Sequence, residues 1–192
     1  MGGGLLISPF IADRIEHVSL GPSGVDLWLI TQVSDRGAPR TAQILQRTEL
    51  GRFAESYALV HVELRGDKYR AARVHLQDLL VSRASATATR EKFEAREVRA
   101  LFADGSPVVR VLVLGLMQGD ASLADANTIT AAITDGRSGN EQYQSLRLAN
   151  LCWTRLKRAD RQEICQAIEQ ARFEPESARR REAQEILALP LD

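Results

Sequence analysis

The longest apolar stretch in the chain lies between Ser106 and Asp120, SPVVRVLVLGLMQGD, where valines and leucines leave no polar face and Arg110 is the one charge before Asp120. A segment patterned this way is buried on every side. Ser106 followed by Pro107 is a helix-start pair: a hydroxyl that accepts from free N–H groups, then a ring whose missing donor is not needed at the first helical position. Gly119 supplies a stop. The valines at 108, 109, 111 and 113 would equally suit a buried parallel strand. The capping residues and the helical patterns on either side favour the helix.

Before this stretch the periodicity changes twice. Leu5 to Phe10 and Val25 to Val33 (VDLWLITQV) are rich in β-branched and aromatic residues, and Gly21-Pro22-Ser23-Gly24 between them is a turn signal, so a small N-terminal β element is expected. Ser34 to Arg40 reads as a loop. From Thr41 the apolar spacing becomes helical through Leu45, Leu50, Phe53, Tyr57 and Val60, although Tyr57 to Leu64 also alternates as a strand would. Asp67 can cap a helix whose apolar face runs from Tyr69 to Leu80, and Ser82 to Thr89, small and polar, reads as a loop or a frayed end. Phe93 to Phe102 is amphipathic and ends at Asp104-Gly105. After the central stretch, Ser122 to Asp125 resembles a capping box feeding Ile129 and Ile133, and Asn140-Glu141 opens a helix through Leu146 and Cys152. Asp160 starts the next helix, and Pro175 sits in the first turn of the last. The expected fold is mainly α: antiparallel helical hairpins over residues 41–192, preceded by a β element in residues 1–40. The alternative is a three-layer α/β fold with strands at Leu5, Val25, Tyr57 and Val108.

Helices following Pro107, Asn140 and Pro175 recur at a spacing of roughly 34 to 36 residues, a period typical of α-solenoids. SPVVRVLVLGLM, with its proline start and Val-Arg pair, resembles the first helix of a HEAT repeat. The longer stretch from Leu116 to Leu151 is similar to helical segments of large bacterial multidomain signalling and defence proteins. The resemblance spans about residues 100–187, with Arg147 standing where such repeats place a small or apolar residue. It implies an interaction or regulatory module and carries no catalytic residues.

Composition changes this picture little. At 44 % hydrophobic and 26 % charged, with 25 basic against 25 acidic residues, the 192-residue chain has no global field to favour nucleic acid or an anionic membrane. No apolar run reaches the ~20 residues needed to cross a bilayer, and Met1 to Leu6 lacks the basic lead of a signal peptide, so a cytoplasmic setting is expected. Cys152 and Cys165 fit neither a zinc ribbon nor a redox pair, and read as buried thiols, with a placement facing each other across a helical hairpin as the alternative.

Each candidate chemistry lacks a part. His61 and Glu63 share a spacing with zinc deaminases, but the partner PCxxC is missing; His17 and His75 have no further ligands, so no metal is expected. Ser23 and Ser138 sit in turns without the GxSxG elbow. Gly115 and Gly119 give only GxxxG, short of either nucleotide-binding fingerprint, so no cofactor is expected; Gly115 is read as a seat for a neighbouring helix. A restriction-endonuclease-like site would begin at Asp26, yet Gln43 and Gln46 stand where Glu and Lys are wanted. Trp28 and Trp153 read as core anchors.

The function expected is therefore a non-catalytic protein-interaction or regulatory module, with an unidentified protein as partner, self-association open, and no membrane or nucleic-acid role. Candidate contact residues are Arg155, Arg158, Arg179, Arg180 and Arg181, where acidic neighbours balance the charge. The alternative function is an enzyme or degenerate enzyme, nucleotide-binding or nuclease-like, on the α/β fold, with Asp26, His61, Glu63 and the Gly115 to Asp120 loop converging on one cleft.

Overall fold

Pro107 to Gly119 forms a helix, and its surroundings explain why it carries so little polarity. The computed structural model describes residues 20, 21, 24, 25, 28–64 and 66–191. Ten α-helices occur among them: α1 (Trp28–Asp35), α2 (Pro39–Arg47), α3 (Leu50–Glu63), α4 (Arg70–Ala88), α5 (Ala95–Asp104), α6 (Pro107–Gly119), α7 (Ala126–Thr134), α8 (Gly139–Cys152), α9 (Arg158–Gln170) and α10 (Ala178–Leu187). The protein is mainly α. The Ser106 hydroxyl accepts from the Val109 N–H, as the capping pattern requires, and every residue of α6 from Val109 to Met117 is buried.

Several expectations are corrected. Leu20–Gly21 (β1) pairs antiparallel with Gly24–Val25 (β2) around the expected turn, but in the segment expected to be a strand from Val25 to Val33, Trp28 to Val33 is helical. Leu29 and Val33, one turn apart, both enter the core, and the Leu29 N–H donates to Glu55 Oε1 at 2.7 Å. Tyr57 to Glu63 belongs to α3, with Leu50, Ala54 and Tyr57 buried at helical spacing, so neither Tyr57 nor Val108 begins a strand of the α/β alternative. Ser34 and Asp35, read as loop, end α1, Pro39 and Arg40 open α2, and Ser82 to Ala88, read as a loop or a frayed end, is the ordered second half of α4. Asp125, rather than Ser122, caps α7 through the Thr128 N–H at 2.8 Å, and α10 begins beyond Pro175, capped by the Ser177 hydroxyl. The strand expected at Leu5 lies outside the described residues.

The helices interlock by alternation. α6 packs against α4 and α8, and α8 against α6 and α10, while α7 packs on α8 and α9. The first turns of α6 and α8 meet, as do those of α8 and α10, so these helices run in the same direction. Beyond α8, the Trp153 indole N–H donates to the Pro190 carbonyl at 2.9 Å and anchors the end of the chain, the core role expected of it.

Two features seat α6. On its α4 side, a Cβ added at Gly115 would lie 2.8 Å from the Ala84 Cβ, and one at Gly119 would lie 2.1 Å from the Ser85 carbonyl oxygen. The small residues Ala84 and Ser85 are therefore what lets the two backbones meet, the close approach expected of Gly115. On its α8 side, Arg110 Nε donates to Glu141 Oε1 at 2.7 Å, and Nη2 approaches the same oxygen at 2.5 Å. The pair is out of water, with side chains 6 % and 0 % exposed, and the guanidinium stacks over Phe102 at 4.0 Å. Glu141 Oε2 also accepts from the Arg137 N–H at 3.1 Å, so both carboxylate oxygens are occupied.

Two outcomes follow for chemical denaturation. Gly119→Ala should lower unfolding free energy by about 1 to 3 kcal/mol, and Gly115→Ala by less, because the added methyl would stand 2.1 Å from backbone at Gly119 but 3.0 Å from it at Gly115. Arg110→Met alone should cost about 3 to 5 kcal/mol by stranding the Glu141 charge, and adding Glu141→Leu should return most of that loss.

Candidate functional site: a groove along α4 and α8

Because α6 is drawn deep against α4, the walls on either side of its C-terminal end stand above it. One wall is the face of α4 carrying Val74, Asp78, Ser82 and Ser85; the other is the face of α8 carrying Tyr143, Gln144 and Arg147. Between them lie two confluent cavities of about 700 and 500 Å³, sharing Asp78 and Tyr143. Gln118 from α6 reaches into the smaller one, its Nε2 donating to Gln144 Oε1 at 2.9 Å and to the Gln144 carbonyl at 3.2 Å. The larger cavity is closed at one end by the turn before α10, around Pro175 and Glu176.

Charges in the groove are mixed, and Arg73, Glu174 and Arg179 are engaged. Arg73 Nη1 donates to the carbonyls of Leu64 and Gly66 at 2.5 and 2.9 Å. Arg179 Nη1 donates to Gln142 Oε1 at 2.6 Å, and its Nη2 stands 3.8 Å from Glu174. Arg147 acts on Glu182, partly offsetting the burial and the Glu185 charge that push that carboxyl up. Arg70 and Asp78 are exposed and make no ion pair or side-chain hydrogen bond among the described residues.

The five candidate arginines do not form one patch. Arg155 and Arg158 are exposed beyond the C-terminal end of α8, whereas Arg179, Arg180 and Arg181 lie in the first turn of α10, beside the start of α8. A 14-residue helix separates the two sets, about 20 Å of rise. Arg180 and Arg181 are exposed; Arg179 is half-buried and ties α10 to α8.

Among the described residues, the remaining candidates do not come together in one cleft. Glu63 is exposed at the end of α3, while Asp26 and the His61 side chain lie outside the described residues, as do His17 and Ser23. His75 is exposed on α4. Ser138 caps α8, its hydroxyl accepting from the Glu141 N–H at 3.1 Å. Burial pushes the Cys152 thiol up against the opposing field of Arg155, and burial with Glu169 does the same for Cys165, so both are thiols rather than nucleophilic thiolates at neutral pH. No group of three or more His, Cys, Asp or Glu among the described residues is placed to hold a metal, and no described helix is long and apolar enough to cross a membrane.

No protein-family model, no curated protein and no solved structure matches this chain.

Of the groove residues, Arg179 is a sequence-derived contact candidate and Ser138 a nucleophile weighed and set aside, while Asp78, Tyr143 and the rest of the α4 and α8 walls are not singled out as candidates by the sequence. Asp78 and Tyr143 are ordinary helical positions until α6 brings their helices side by side, and the signal pointing to them was the GxxxG seam that sets its depth. Arg179→Ala should cost about 1 kcal/mol in thermal or urea unfolding through its lost bond to Gln142. Arg180→Glu with Arg181→Glu should change stability by no more than about 0.5 kcal/mol.

Proposed function

We propose that this chain is a non-catalytic protein-interaction or regulatory module of a bacterial cytosolic protein, built in the manner of a HEAT-like helical array and binding along the α4–α8 groove. The observation that carries the reading is the alternation of the helices. The pairs α5/α6, α7/α8 and α9/α10 begin at Ala95, Ala126 and Arg158, and the second helix of each packs on the second helix of the next. Stacked hairpins of this kind bury their apolar faces against neighbours and leave an extended surface for a partner. Here that surface is the open groove rather than a closed pocket, with walls from two helices whose positions the α6 seam and the Arg110–Glu141 pair hold rigid. Rigid walls reduce the ordering entropy lost on binding.

A photoreactive residue in place of Tyr143 tests the reading in living cells, with the same residue in place of Gln162, exposed on α9, as the control. The expected result is a protein adduct from position 143 and none from position 162. Equal labelling from both positions, or none from either, overturns it.

A further inference from the structure

Half of one helix is seated and half is not. Along α4 the stripe Val81, Ala84, Ser85 and Ala88 lies against α6, and the same stripe continues toward the N-terminus through Arg70, Val74 and Asp78. There it faces the larger cavity, and Val74 is 47 % exposed, an apolar side chain left uncovered at the centre of a helix face. On either side of Val74, four residues away in each direction, stand a free cation and a free anion, Arg70 and Asp78.

That arrangement is self-complementary under one operation only. A two-fold axis through Val74 lays a second α4 antiparallel to the first, setting Val74 on Val74, Arg70 of each copy against Asp78 of the other, and so forming two ion pairs around one apolar contact. The parallel arrangement opposes Arg70 to Arg70 and Asp78 to Asp78 and is repelled. We propose that the exposed half of α4 is an isologous interface, and that the occupant of the groove is the α4 of a second copy of this chain. The proposal rests on reading the groove as a protein-binding surface. The Arg70–Asp78 span covers only about 12 Å of helix, so the contact is small and the association weak, with a Kd on the order of micromolar or above.

Light scattering behind size exclusion on the full chain, loaded from roughly micromolar to millimolar concentration, reads this directly. The wild-type mass should climb from 21.2 kDa toward twice that value. Arg70→Asp and Asp78→Arg each place like charges across the axis and should each need at least about tenfold more protein to associate. An equimolar mixture of these two variants re-forms both ion pairs between unlike copies and should associate as the wild type does. Both changes are at exposed positions, and circular dichroism of each variant verifies that it is folded. A wild-type chain that stays monomeric throughout, or a mixture no tighter than its components, overturns the proposal. If the chain stays monomeric while the probe at position 143 captures a different protein, the second-copy assignment falls and the interaction reading stands; a monomer with no adduct brings down both.

Discussion

One charge inside the most apolar helix governs the arrangement of the rest. Arg110 is buried in α6 and has a single carboxylate, Glu141, to neutralise it, so the first turns of α6 and α8 are fixed relative to each other. A buried ion pair of this kind contributes little net stability compared with a well-packed apolar pair, but it admits one register and penalises the others. With Phe102 beneath the guanidinium and the Arg137 N–H on the second carboxylate oxygen, the junction joins α5, α6, α8 and the turn before α8. The glycine seam against α4 then sets the depth at which α6 lies. Register on one side and depth on the other leave the groove little freedom of shape.

How much of this was visible in the residues depended on whether the cause was local. The α6 boundaries were legible because Ser106, Pro107 and Gly119 act within their own turns. The end of α4 was not: Ser82 to Ala88 has the small, polar composition of a loop, and it is helical because those small residues are what α6 packs against. Trp28 to Val33 failed for a related reason. Its apolar content suits a strand or a short helix equally, and the acceptor for its Leu29 N–H is Glu55, a residue in another helix. The groove was hidden apart from Arg179 at its end, since no property of Asp78 or Tyr143 taken singly marks either of them. The candidate arginines were chosen for exposed charge, and exposure is what most of them have; convergence, which a site also needs, is a tertiary property.

The same distinction applies to function. Absence of a complete catalytic motif was a statement about spacing along the chain, and folding has not brought the described remnants of those motifs together. What folding has brought together is surface: two helix faces, one uncovered valine and an unpaired charge on each side of it.

Two acidic side chains carry a consequence for how the chain comes into being. Glu55 accepts from the first turn of α1, and Glu97 accepts from both the N–H and the hydroxyl of Thr41 at 2.8 Å, completing the first turn of α2, whose own cap residue Ala38 has no side-chain acceptor. Both helices thus complete their first turns with acceptors from segments made later. On the ribosome α2 emerges more than fifty residues before Glu97, and at ordinary rates of about 5 to 20 residues per second that is an interval of several seconds. During it, α2 exists without the group that closes its first turn, and its apolar residues Ile44 and Leu45 have no finished core to enter. The N-terminal helices therefore leave the ribosome before the groups that close their first turns, and slowing translation beyond Leu50 would lengthen that interval without altering any contact in the finished fold.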